Sequence, residues 1–244
     1  MDASLAKSRF KFSPKVSASL IAQYIKASPT RRKSIIRTAH FPKPDVVAQY
    51  DIARQGLVKF LTDDTRNYQH LANVKDRLRE REERPESSDW QKDDSRRSIE
   101  TIEAFENGYN HMGFPKLECH RPENLPLLDL WSTRIKVELA VITRKPTKLG
   151  PGPFGGAIFL FSTSRHAPEA RIDQCKTIAG LIHVFCERHL AYLGTPNRSL
   201  CLAVDVFAGR AIAAPESFVQ KLDYIAVACE EIAARWDEVT PLEE

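Results

Sequence analysis

"GGAIFLFSTSR" (residues 155–165) is the stretch on which the fold turns. Ala157 to Phe161 are apolar without a break, with Gly155-Gly156 on one side and polar residues on the other. A strand with one face in water alternates apolar and polar residues. An unbroken run of this length between turn-formers therefore reads as a strand buried on both faces.

Its neighbours in the chain fit that role. In "TRIKVELAVITR" (133–144), Ile135, Val137, Leu139 and Val141 alternate and predict one strand. "KPTKLGPGPFGG" (145–156) is a Pro/Gly loop joining it to the apolar run, and "PKLECHRP" (115–122) is a short strand candidate. Downstream, Ile172, Cys175, Ile178, Ala179, Ile182 and Phe185 mark the buried stripe of a helix over about Pro168–Leu193. "SLCLAVDVFAGRAIAAP" (199–215) reads as strand, Ala-Gly turn, strand, and a last helix spans about Ser217–Trp236.

The first hundred residues read as helical. Val16, Leu20, Ile21, Tyr24 and Ile25 line one helix face, with Ser17 or Ser19 as cap and Pro29 as stop. Val46, Tyr50, Ala53, Leu57 and Phe60 give the same stripe over Asp45–Leu61. Residues 73–98 read as a charged, mostly exposed helix with opposite-sign pairs Arg79–Glu82 and Arg79–Glu83, a mobile Pro-Ser-Ser loop near Pro85–Asp89 and another charged start. A further helix covers about Arg96–Asn107. The whole is an α+β chain: a basic helical region over 1–110, and a mixed β-sheet core with packing helices over 111–244, the two forming one compact unit.

Composition narrows the function classes. No run of about 18 apolar residues is present to span a bilayer, and the first residues lack the apolar core of a secretory signal, so a cytoplasmic protein without a membrane partner is expected. Cys119, Cys175, Cys186, Cys201 and Cys229 are scattered and odd in number, which argues for buried free thiols rather than disulfides or a metal cluster. His183 and His189, six apart on one helix, fall on different faces. "GPGPFGG" lacks the Lys-Ser/Thr of a phosphate loop, and Ser162, Ser164 and His166 read as a strand end. Asp205, in an apolar strand, needs a bonding partner if ionised. Net charge is +4, but Met1–Lys59 carries 12 Lys and Arg against 3 Asp, while Glu216–Glu244 carries 8 acids against 2 bases. A basic and an acidic end suit a polyanion on one side or a protein partner of complementary charge.

Several stretches resemble the RecB-like branch of the PD-(D/E)xK nuclease superfamily, over about residues 16–185. In "VSASLIAQYIKASPTRRKSII" (16–36), Ser17, Ser19, Leu20, Tyr24 and Pro29 match that family's opening helix, with Ser28 where a cysteine stands. "ARQGLVKFL" (53–61) is similar to its next motif, keeping Gly56 but carrying Lys59 in place of a metal-binding histidine. Glu138 in "KVELAV" matches the first acidic metal ligand. Phe159 and Phe161 in "AIFLFSTS" occupy the positions of the Glu-x-Lys pair, and Gln174 in "DQCKTIAGLI" begins a Gln-x-x-x-Tyr motif with Ile178 in place of tyrosine.

The resemblance implies a restriction-endonuclease-like sheet, and the departures imply loss of cleavage. A nuclease needs clustered carboxylates to hold Mg²⁺ or Mn²⁺ beside the scissile phosphate. Among the matching positions only Glu138 keeps one, Lys59 would repel the ion, and Phe159 and Phe161 are packing residues. No catalytic residue, metal or cofactor is therefore expected. Arg31, Arg32, Lys33, Arg37 and Lys59 are the candidate nucleic-acid contacts, by phosphate neutralisation. Two alternatives stand beside this reading. One is an interaction subunit docking through the acidic C-terminal helix, with Ile225, Ala228, Cys229, Ile232 and Trp236 packing inward or against the partner. The other is a metal-dependent phosphodiesterase with a rearranged site drawing on acids such as Asp205, Asp129 or Glu118.

Overall fold

Three serines decide where helices begin. Ser17 Oγ accepts from Leu20 N (3.3 Å), Ser28 Oγ from Arg31 N (3.4 Å) and Ser88 Oγ from Gln91 N (3.3 Å), each satisfying a donor that a helix start leaves unpaired. The computed structural model describes residues 13–43, 49–147, 152–162 and 168–241. In chain order it contains β1 (Lys15–Ser17), α1 (Ala18–Lys26), α2 (Pro29–His40), α3 (Asp51–Leu61), α4 (Gln69–Glu83) and α5 (Asp89–Gly108). Then come β2 (Glu118–His120), β3 (Leu128–Leu130), β4 (Thr133–Lys136), β5 (Val141–Arg144) and β6 (Phe154–Leu160). The remainder is α6 (Pro168–His189), β7 (Pro196–Asp205), β8 (Arg210–Ala213) and α7 (Val219–Arg235). With mixed sheets flanked by helices, the chain is of the α+β class.

The chain packs as two units. The first gathers Met1–Lys43, Leu125–Glu138 and Ser217–Glu244. Its sheet has the order β1-β4-β3, with β1 parallel and β3 antiparallel to β4. Trp131 and Ser132, both at positive φ, form the two-residue β3–β4 turn. Ile21, Ala22 and Tyr24 of α1 and Ile225, Cys229 and Ile232 of α7 are buried, and Thr133 Oγ1 donates to Cys229 O at 3.1 Å.

The second unit comprises Pro44–Asn124 and Leu139–Glu216. Its five-stranded sheet has the order β2-β5-β6-β7-β8. Only β6 and β7 run parallel; every other neighbouring pair is antiparallel. Helix α6 makes the crossover that a parallel pair requires. β6 is central and buried along its whole length, as its apolar run predicts, and β7–β8 is the expected hairpin, closed at Gly209 (φ +59°). One aromatic-rich core joins Leu57 and Phe60 of α3, Leu71 and Leu78 of α4, Phe105 of α5 and Phe159 of β6. These units interleave along the chain, whereas the sequence reading divides it once, near residue 110.

Several local expectations need correction. "TRIKVELAVITR" is two strands, β4 and β5, in different sheets. Val16 lies on β1, not α1. Pro29 does not merely stop α1: with Ser28 as cap it opens α2, because a missing N–H costs nothing at the first helical position. Val46 and residues 163–167, including Ser164 and His166, lie outside the described residues, as do 148–151 of the Pro/Gly loop. Arg79 bonds Asp76 (2.8 Å) rather than Glu82 or Glu83. The segment after α4 is tied by Ser87 Oγ donating to Arg81 O (2.6 Å) and by a full capping box at Ser88 and Gln91. All five cysteines are buried and free. Among the described residues no helix is long and apolar enough to cross a membrane.

Candidate functional site

Helix α3 supplies one wall of a cleft in the second unit. Ala53, Gly56, Leu57, Phe60 and Leu61 are its buried face. Arg54, Gln55, Val58, Lys59 and Thr62 recur one and four positions apart, so they share another face and line the cleft. Across from them stand Arg121 and Pro122, just past β2, and Leu139 and Ala140, just before β5. Ala140 is fixed there because its N–H donates to Ala157 O on β6 (2.8 Å). The cleft encloses about 430 Å³.

Three cations and no carboxylate are among its described lining residues. Arg54 is steadied by Asp51 (2.8 Å), and its guanidinium carbon lies 5.4 Å from the centroid of the Phe161 ring. Lys59 and Arg121 are exposed, and neither has an ion-pair partner among the described residues. Cations lining a cleft attract an anion more than the same charges on an open surface, because the low-dielectric walls focus their field.

The positions matched to catalytic motifs sit as follows. Phe159 lies on β6, with ring centroids 6.0 Å from Phe105, 6.0 Å from Phe114 and 6.1 Å from Phe161. Phe161 also meets Tyr50 at 5.5 Å. Both are core residues. Gln174, on α6, accepts from Arg171 Nη1 (3.1 Å). Glu138 belongs to the first unit, is exposed, and pairs with Lys136 at 2.5 Å.

Of the expected nucleic-acid contacts, Arg31, Arg32, Lys33 and Arg37 belong to the first unit and Lys59 to the second. Arg31 and Lys33 are exposed on α2. Arg32 instead pairs with Glu231 (2.8 Å) and lies 5.1 Å from the Tyr24 ring centroid, and Arg37 Nε donates to Thr240 O (2.9 Å). Tyr24 OH also donates to Glu231 (3.1 Å), and burial with this bond pushes its pKa up to about 12. Trp236 is half-buried and stacks on His40 at 4.5 Å. The sequence reading missed Arg54 and Arg121. Arg54 was legible as a neighbour of Lys59 on α3, but nothing in the sequence brings Arg121 to that helix.

Of the acids weighed for a rearranged metal site, Asp205 is buried and bonded to Arg171 Nε at 2.8 Å. Glu118 is exposed on β2, and Asp129 is exposed on β3 in the other unit. Among the described residues no three His, Cys, Asp or Glu side chains gather as a metal-binding group. The chain matches no protein-family model, and no curated protein is significantly similar to it.

Proposed function

We propose that this chain is a nuclease-like, catalytically inactive protein that holds a nucleic-acid backbone in the α3 cleft without cutting it. The observation that carries this reading is the cleft itself: Arg54, Lys59 and Arg121 line it, and no carboxylate is among its described lining residues to oppose a phosphate. Phosphate contacts of this kind give affinity without sequence readout. The five-stranded sheet, with its single parallel pair spanned by α6, supports a restriction-endonuclease-like topology. The loss of cleavage is supported by Phe159 and Phe161, whose rings pack in the core where metal-binding and catalytic polar groups would be needed. A cytoplasmic location accords with this role.

The test is retention of labelled DNA and RNA on a gel across a salt series, with and without Mn²⁺. Retention that weakens with salt, fails in Lys59→Ala/Arg121→Ala and yields no products is expected. Metal-dependent products, or no retention at low salt, would overturn the reading. A second reading, docking to a protein through the acidic C-terminal helix, is favoured by Val219, Tyr224 and Val227, which stand exposed on α7 near Asp223 and Glu230.

A further inference from the structure

A second recess, of about 340 Å³, opens between α3 and α4 in the same unit. It shares Gln55 and Lys59 with the first cleft and adds His70, Asn73, Val74 and Arg77 from α4. Gly56 lets the two walls pack closely: a Cβ there would stand 3.0 Å from Val74 Cγ2, so the Val74 side chain would have to give way. Arg77 is exposed and has no ion-pair partner among the described residues. Asn73 Oδ1 already accepts from Gln69 Nε2 (2.8 Å), which leaves its amide N–H groups as donors. His70 Nε2 lies 3.6 Å from Asp63 Oδ2. That carboxylate is held by Thr65 Oγ1 (2.7 Å) and the Asn67 N–H (2.9 Å), bonds that lower its pKa.

Resting on the function proposed above, we infer that this second recess seats the next nucleotide of an unpaired strand whose backbone crosses α3 at Lys59, so the ligand is single-stranded nucleic acid. Lys59 borders both recesses, Arg121 lines the first and Arg77 the second, so each recess offers a cation of its own to one of two successive phosphates. Gln55, Asn73 and His70 supply hydrogen-bonding groups for a sugar or a base edge, and Val74 an apolar wall. A duplex must spend about a few kcal/mol to unpair and unstack a nucleotide before it can be seated between two helices, whereas an unpaired strand splays one out at far lower cost.

The test is fluorescence anisotropy of the intact chain with labelled oligothymidylate, a duplex of equal length and thymidine monophosphate. The unpaired strand should bind about tenfold more tightly than the duplex. Arg77→Ala should weaken the unpaired strand about tenfold and make its salt slope shallower by about 0.7, with duplex binding unchanged. Asn73→Ala should weaken the same ligand alone, and unchanged melting curves exclude misfolding of either variant. Duplex preference, or an Arg77→Ala loss absent or equal for both ligands, overturns this inference. In those cases loss of both ligands in Lys59→Ala/Arg121→Ala keeps the parent reading standing. Failure of the wild-type chain to bind any oligonucleotide at low salt overturns both.

Discussion

Arg171 Nε lies 2.8 Å from Asp205 Oδ2, joining the first turn of α6 to the last residue of β7. Both side chains are about nine-tenths buried. The same guanidinium donates to Gln174 Oε1 (3.1 Å) and Ser162 O (3.2 Å), so its charge is answered on three sides. Removing one member of a buried pair strands the other. Arg171→Met should cost about 3–5 kcal/mol in denaturant unfolding, and adding Asp205→Leu should recover much of it. Mn²⁺ should leave the melting temperature unchanged, since the Asp205 carboxylate is already satisfied.

Phe159 should behave as a packing residue. Its ring meets Phe105, Phe114 and Phe161, so Phe159→Ala should cost about 3–5 kcal/mol. Phe159→Glu should lower stability further by burying an unpaired charge, and should bring no metal-dependent cleavage. Urea melts and a plasmid-nicking assay read the two outcomes.

His183 makes stability depend on pH. Burial holds its pKa below the ordinary 6.5, against a smaller opposing effect from Glu187, whose Oε2 lies 3.4 Å from Nδ1. The unfolded chain therefore binds the proton more readily between the folded value and 6.5, and stability rises with pH across that window. The melting temperature should fall on acidification below pH 6.5, and His183→Gln should flatten that slope.

Arg31 and Arg32 should separate cleanly. Arg32→Ala removes the Glu231 pair and the contact with the Tyr24 ring and should cost about 1 kcal/mol, the pair being one-third exposed. Arg31→Ala should stay within about 0.5 kcal/mol. An ultraviolet pH titration should show one tyrosine ionising only near pH 12.

Much of the second unit was legible because its signals are local. The apolar run of β6, the stripe of α6 and the Ala-Gly turn before β8 each follow from the residues that form them. β4 and β5 were read as one strand because Ile135, Val137, Leu139 and Val141 keep one alternation across both. Alternation records which face is buried, not which sheet buries it, and the break at Val137–Ala140 has no Gly or Pro to mark it. Arg32 looked like surface charge because Glu231, its partner, lies 199 residues away. Lys59 was found through its place after Gly56, but Arg121 reaches the cleft only through the pairing of β2 with β5.

The interleaving of the two units has a consequence for the order of assembly. β1 needs β4 as its pairing strand, and Tyr24 needs Glu231, 207 residues later, for its hydroxyl. During synthesis every strand of the five-stranded sheet is made before α7 emerges. The second unit can therefore close while the first still has α1 waiting with Ile21 and Tyr24 uncovered. Contacts so distant in sequence close slowly and leave apolar surface exposed meanwhile. A released chain truncated before Val219 should thus be cut by protease within Ala18–His40 while the sheet of the second unit resists.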